Sequence, residues 1–251
     1  MGYNSFYDQL APYYHLIYPD WDASMSRQAT NLQCIIDEFV PGSSTILDAA
    51  CGIGTQAIGL AKLGYTVTAS DISETSVARA KTEASTHACD ITFHVADLRS
   101  AFHMHARQFD VVLACDNAIP HLLSDADILT AFQQLYACTK PGGGCILSVR
   151  DYEAEDKYGT HVKQIGVRLD ADARYFLWQV WEFDPVSPTY TLDLYIVEDN
   201  RQGKCVTHTM QSRYYAVGTT TLIELMELAG FTDVRRLDGR FFQPLLVGKR
   251  Q

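Results

Sequence analysis

The stretch from 46 to 71, ILDAACGIGTQAIGLAKLGYTVTASD, narrows the possible folds more than any other part of this chain. An apolar strand runs into a glycine-rich turn, a helical pattern follows, and a second strand ends on Asp71. Gly52-Ile53-Gly54-Thr55-Gln56-Ala57 satisfies G-x-G-x-x-G/A, a turn whose glycines let the backbone approach a nucleotide-type ligand at a helix N-terminus. The pattern by itself fits a dinucleotide as well as other adenosine ligands. Asp71, seventeen residues beyond Gly54, is placed to accept hydrogen bonds from ribose hydroxyls in either case.

Strand and helix patterns go on alternating from 44 to 149. STILDAA, YTVTASD, ITFHVAD, FDVVLACD and GGCILSVR read as strands, and helices are predicted over 54–63, 74–86 and 125–138. Unbroken apolar runs such as Val111-Val112-Leu113 belong in a parallel sheet covered on both faces. Gly64 follows the first helix where a left-handed C-cap is expected. Ser124 and Asp127 open the 125–138 helix as a capping box, and Lys140-Pro141-Gly142 closes it.

Upstream, Met25, Ala29, Leu32, Ile36 and Phe39 recur at helical spacing, so this helix should pack onto the sheet. SFYDQLAPYYHLIYPDW, crowded with aromatics and broken by Pro12 and Pro19, is expected to form a short helix leading into a loop, placed to cover a pocket. After Arg150 the pattern changes: 175–183, 190–197 and 205–216 read as strands without helices between them, an antiparallel unit. Helix 220–229, ended by Gly230, and the strands DVRRLD and PLLVGK then resume the α/β pattern. These shifts divide the chain into an N-terminal helical or lid segment (1–43), a ligand-binding core (44–150), an antiparallel β insertion (151–218) and a return to the core sheet (219–251).

A chain of 251 residues suits one large domain or a core with an inserted subdomain. Its 30 acidic against 20 basic residues, a net charge of −10, oppose a nucleic-acid partner, whose affinity rests on Lys and Arg neutralising phosphates; a small molecule fits better. The seven cysteines are scattered without a CxxC pair, which argues against a zinc site or a disulfide framework and reads as reduced thiols of a cytoplasmic protein. MGYNSF has no basic and apolar leader, and no apolar run reaches membrane-spanning length, so no membrane partner is expected. The sequence does not specify an oligomeric state.

Three strand ends discriminate among the adenosine ligands. Asp48 ends the first strand, where a carboxylate is awkward beside a pyrophosphate but suits the ammonium of a methionine moiety. Ala96-Asp97-Leu98 ends the third and offers a carboxylate to an adenine amino group, with Ile72 and Leu98 as apolar flanks. Cys115-Asp116-Asn117 ends the fourth at the edge where open α/β sheets bind ligands. With these residues and with LDAACGIGT, ASDIS and KPGGGCILSV, the chain resembles the class I S-adenosylmethionine-dependent methyltransferases. The resemblance implies a Rossmann-like α/β fold, with a seven-stranded, mainly parallel sheet whose last strand is antiparallel, and the small antiparallel insertion after the fifth strand. It implies S-adenosylmethionine as cofactor, S-adenosylhomocysteine as product, no metal, and a cofactor site drawn from Asp48, Ala50, Gly52, Gly54, Asp71, Ile72, Ala96, Asp97, Leu98 and Cys115.

A narrower resemblance lies outside the shared core. YDQLAPYYHLIYPDW, CDNAIPHLL, SVRDYE and the C-terminal RYYAVGTTTLIELMELAGFTDVRRLDGRFFQPLLVGKR are similar to bacterial glycine/sarcosine N-methyltransferases. This implies N-methylation of a small amino acid by in-line displacement, with Arg27 on the cofactor carboxylate, Asn117 on the substrate with His121 four positions on, and Arg150 on the amino-acid carboxylate. Asp151 departs from the asparagine of the more distant glycine N-methyltransferases and leaves the amine open. Tyr14, Tyr18 and Trp21 would close aromatic faces over the cationic sulfonium and amine. Solvent, Asn117 or His121 would take the amine's proton. Blander roles stand beside these: Arg150 as a surface ion pair with Asp151 or Glu153, Arg27 as a solvated helix charge, His121 as a buried histidine bonded to backbone. At the level of the whole protein the alternatives are an O- or C-methyltransferase of another small metabolite, a protein that holds the cofactor without reacting it and, on the GxGxxA turn alone, a nicotinamide enzyme.

Overall fold

A computed structural model describes residues 3–169 and 173–251, with residues 3–5 described by their backbone alone. In chain order, α1 (Tyr3–Leu10), a 3-10 helix (Ala11–Ile17) and α2 (Trp21–Phe39) lead into β1 (Thr45–Asp48), α3 (Thr55–Lys62), β2 (Thr66–Asp71), α4 (Glu74–Thr86), β3 (Thr92–Val95), α5 (Ala101–His105), β4 (Phe109–Ala114), α6 (Asp125–Cys138) and β5 (Thr139–Ser148). Four strands follow, β6 (Thr160–Leu169), β7 (Arg174–Phe183), β8 (Thr189–Asp199) and β9 (Cys205–Tyr215), and then α7 (Thr219–Leu228), β10 (Thr232–Leu237) and β11 (Leu245–Lys249).

The apolar runs make the centre of a seven-stranded sheet of order β10-β11-β5-β4-β1-β2-β3. Ile46, Leu47, Val111, Val112 and Leu113 are wholly buried, because helices cover both faces. β11 is antiparallel to both its neighbours, and the other six strands share one direction. The chain turns back on itself between β1 and β4, and a crevice opens outside their C-terminal ends, the usual ligand position in such sheets.

Local chemistry fixes the helices that border this crevice. Asp20, Ser73 and Ser124 cap α2, α4 and α6 by accepting hydrogen bonds from the amides of Ala23, Ser76 and Asp127. Met25, Ala29, Leu32, Ile36 and Phe39 form the buried stripe of α2. α2 presses against α3 at Gly59, where a Cβ would stand 2.7 Å from the Ala29 Cβ and 2.9 Å from the Met25 carbonyl oxygen. α3 stops at Gly64, which adopts φ +96°.

Three local expectations are corrected. The antiparallel unit has four strands, in the order β6-β7-β8-β9; β6 lacks a clean two-residue period in the sequence because a register shift between Gln164 and Gly166 interrupts the alternation of Val162, Ile165, Val167 and Leu169. Lys140-Pro141-Gly142 lies within the irregular start of β5, which shifts register against β4. The segment after α1 is not a loop but a 3-10 helix, with Pro12 in its first turn. Phe6, Leu10 and Leu16 from this segment pack with Leu177, Trp181, Tyr190 and Tyr214 of the antiparallel sheet. The N-terminal segment therefore lies between the two sheets, over the crevice.

Candidate active site

The crevice is a cavity of about 930 Å³ counted to its open mouth, within the range of small-ligand sites. At one end the strand ends of β1, β2 and β3 meet. Asp71 accepts hydrogen bonds from the amides of Gly52 and Ser73, both at 2.9 Å, so its carboxylate is rigidly aimed before any ligand arrives. Gly52, at φ +53°, packs so close to Tyr14 that a Cβ would stand 3.1 Å from the ring. Ala50, Ile72, Ala96, Leu98 and Cys115 supply apolar wall. Asp97 also lines the cavity, but Arg99 grips both its oxygens, the shortest contact being 2.7 Å. Any contact of Asp97 with an adenine amino group has to share a carboxylate already paired.

Asp48 lies beneath the turn, fully buried and off the cavity wall, so it is not placed to touch the ammonium of a methionine moiety. Among the described residues neither of its oxygens has a hydrogen-bond partner of good geometry. Burial pushes its pKa up to about 7, opposed in part by the nearby amides of Ala50 and Ala57. Gly54 is likewise behind the wall: at φ +94° it caps α3, and a Cβ would strike the Ile58 Cδ1 at 2.9 Å.

Two residues expected at the cofactor face elsewhere. Arg27 is exposed and donates to the Ser24 hydroxyl, because two positions from buried Met25 is the opposite side of a helix. The neighbouring Gln28 is the one turned inward, holding Gln56 of the cavity wall at 2.7 Å. Trp21 donates its indole N–H to Thr55 Oγ1 at 2.8 Å and so fastens α2 to the start of α3, outside the cavity.

The other end of the cavity is aromatic. Tyr7, Tyr14 and Tyr18 from the N-terminal segment line it opposite Asp116 and His121. His121 shares a 2.7 Å hydrogen bond with Tyr7 and packs on the Tyr214 ring at 4.1 Å between centroids, so it is bound by side chains rather than only by backbone. Burial, assisted by the charge of Arg150, lowers its pKa to about 3, which keeps the imidazole neutral.

Asn117 and Arg150 stand just behind this wall. The Asn117 amide group donates to the Tyr152 hydroxyl at 2.8 Å and its carbonyl accepts from the Arg150 amide at 3.0 Å. It is a buried strut, with both ends engaged, rather than a group that reaches the substrate. The Arg150 guanidinium donates to the Tyr190 hydroxyl at 3.1 Å and lies over the rings of Trp181 and Tyr214, at 4.9 and 5.6 Å. The surface ion pair with Asp151 or Glu153 is absent, because Arg236 takes both of those carboxylates. Tyr7, Trp181, Tyr190 and Tyr214 were not singled out from the sequence. The available signal was strand parity: pairing sets Trp181 opposite Leu192 and Tyr190 opposite Tyr214, all on one face.

The fold and the cavity together define an S-adenosylmethionine-dependent methyltransferase with a Rossmann-like sheet. The methyltransferase-domain family matches residues 46–143. The chain is 25% identical over 215 residues to the putative methyltransferase YqeM of Bacillus subtilis, covering 79% of this chain and 81% of that protein. It is 29% identical over 145 residues to the glycine/sarcosine N-methyltransferase of Parasynechococcus marenigrum, a match that spans 58% of this chain and 51% of that enzyme. Ubiquinone biosynthesis O-methyltransferases are also among its relatives. Among solved structures, Streptomyces venezuelae DesVI superposes with a TM-score of 0.83 at 17% identity, covering 96% of this chain and 98% of that one. The residues present fit S-adenosylmethionine: Asp71 suits the ribose hydroxyls, Ile72 and Leu98 the adenine faces, and the Gly52 turn a close backbone approach.

Proposed function

We propose that this methyltransferase methylates the amine of a small amino acid of the glycine or sarcosine type. The observation that carries the reading is Arg150. Among the described residues no carboxylate lies within 4.0 Å of its guanidinium, although it is partly buried against the rings of Trp181 and Tyr214. A planar fork of N–H donors in that state suits a carboxylate brought in by a ligand, through two parallel hydrogen bonds. Arg150 lies over Tyr214, whose ring packs on His121 of the cavity wall, which ties it to the acceptor end.

S-adenosylmethionine supplies a methyl group made electrophilic by its sulfonium. The chain's own part is to hold the acceptor nitrogen in line, a task of positioning and exclusion of water. Arg150 would fix the carboxylate. Tyr7, Tyr14 and Tyr18 would surround the cationic end with aromatic faces, and burial holds all three phenols protonated. The test is a mass-spectrometric screen of the purified protein with S-adenosylmethionine against glycine, sarcosine, dimethylglycine and alanine, alongside amino sugars and phenols. Methylated amino acids are expected. Methylation of only the carboxylate-free amines or of the phenols would replace this reading with a sugar or O-methyltransferase.

A further inference from the structure

An amino-acid nitrogen is an ammonium at neutral pH and has no lone pair to offer until a proton leaves. The cavity withholds the obvious acceptors. Asn117 has both ends of its amide engaged, and His121 is neutral with burial and Arg150 opposing its protonation. One carboxylate remains on the wall at the acceptor end, and it is held with unusual care.

Asp116 ends the β4 edge at φ +58°, and Asn117 follows at φ +65°. Two successive side-chain-bearing residues in the left-handed region are costly, and such strain persists where surrounding bonds enforce it. Here the Asp116 amide donates to Ser148 Oγ at 2.7 Å and the Asn117 amide to the Ser148 carbonyl at 2.9 Å. Ser148 Oγ in turn donates to Gln243 Oε1 at 2.9 Å. The Gln243 amide N–H group reaches back toward Asp116 Oδ1 at 3.4 Å, while the Tyr18 hydroxyl donates to Oδ2 at 2.9 Å. No Lys, Arg or His lies within 4.0 Å of the carboxylate among the described residues. A wall carboxylate without a cation, with a guanidinium without an anion behind the same wall, offers complementary charges to a zwitterion.

We propose that Asp116 binds the substrate ammonium and accepts its proton, so that methylation begins from the free amine. This rests on the amino-acid reading above. One N–H proton passes to an Asp116 oxygen, the nitrogen keeps the electron pair that forms the N–CH3 bond while the S–CH3 bond breaks and leaves its pair on the sulfur of a neutral thioether, and the proton is later given to solvent, one for each methyl transferred. Titratable groups facing Asp116 are Tyr7, Tyr14, Tyr18, Cys115, Arg150 and Tyr214. The phenols and the thiol are all pushed up and stay neutral, which leaves Arg150 as the one charged neighbour of that set. Burial raises the Asp116 pKa, against the Tyr18 hydrogen bond and Arg150, and brings the acceptor nearer in strength to the amine it relieves.

The test measures kcat and KM for glycine and sarcosine between roughly pH 6 and pH 10, with S-adenosylhomocysteine affinity by calorimetry, for wild type, Asp116→Asn and Asp116→Glu. Asp116→Asn is expected to lose about 100-fold or more in kcat, to have the acidic limb of its profile moved up toward the pKa of the amine itself, and to keep its cofactor-product affinity. Asp116→Glu should return the limb toward its wild-type position and recover part of the rate. Wild-type kcat and an unchanged pH profile in Asp116→Asn would overturn the assignment while leaving the amino-acid reading intact. A wild type that methylates none of the amino acids overturns both. If Asp116→Asn does not fold, Gln243→Leu serves instead: loss of its N–H donor should move the acidic limb to higher pH, and an unmoved limb counts against the proposal.

Discussion

The Asp71 carboxylate accepts a hydrogen bond from the Gly52 amide at 2.9 Å, which locks the end of β2 onto the turn that follows β1. A second bond from Ser73 fixes the other oxygen. The residue that suits the ribose is thus set by backbone, with no rotamer to freeze when the ligand binds. Asp71→Ala should weaken S-adenosylmethionine binding by about 1.5–3 kcal/mol, or roughly tenfold to a hundredfold, as expected for hydrogen bonds to a charged group. Calorimetry on the folded variant checks this, and unchanged affinity would remove Asp71 from the site.

Asp48 makes stability depend on pH with a definite sign. Its folded pKa of about 7 lies above the unfolded value, so the fold is unpenalised below roughly pH 4 and loses stability as pH rises through about 7. Each unit of displacement corresponds to about 1.4 kcal/mol, which makes the full effect a few kcal/mol at most. Asp48→Asn should lack this decline, so the melting temperature of the variant relative to wild type should climb between pH 5 and pH 8. A constant difference across that range would mean that the carboxylate is solvated or hydrogen-bonded.

His121 should stay neutral across the physiological range, with its pKa lowered to about 3 by burial and by Arg150. The stability linked to it is present above its unfolded value, roughly pH 6.5, and is lost as pH falls toward 3, because the unfolded chain takes up the proton first. Its imidazole resonances followed by NMR should show no titration between pH 5 and pH 8. A midpoint near that of an exposed histidine would contradict the packing against Tyr7 and Tyr214.

Arg150→Ala should lower kcat/KM for an amino-acid substrate by tens- to thousands-fold, since truncating one member of a buried charge pair costs about 2–5 kcal/mol. Affinity for S-adenosylhomocysteine should hardly change, because Asp71 and the turn are untouched. Arg150→Lys should recover only part of the loss, as an ammonium keeps the charge without the fork. Parallel assays of product and of cofactor affinity separate these effects. Equal turnover by Arg150→Ala would refute the carboxylate role.

The cofactor end was readable because its parts are neighbours in the chain. Gly52, Asp71 and Asp97 sit at the ends of consecutive strands, so the strand–turn–helix pattern that fixes the fold also fixes their places. The acceptor end is assembled differently. Tyr7 meets His121, Arg150 meets Tyr190, and Trp181 lies under Arg150 although no local pattern links them. Alternation in β7 shows that Trp181 shares a face with Leu177 but cannot say what covers that face. Arg27 shows the reverse: the phase of the α2 stripe placed it outside, and only a family resemblance turned it toward the cofactor. Asn117 lay at the right strand edge, but its engagement by Tyr152 and Arg150 depends on a loop more than 30 residues away in sequence.

Gly59 gives the cavity a tolerance set from outside it. Where α2 crosses α3 there is no room for a methyl group on Gly59, and the same two helices carry Gln28 against Gln56 of the cavity wall and Trp21 against Thr55. The crossing acts as a gauge block: a thicker residue there would tilt α2 and shift that wall, although Gly59 itself touches no ligand. Fidelity in seating the cofactor is thus machined into the distance between two main chains, and a search for damage that looked only at the cavity wall would pass over it.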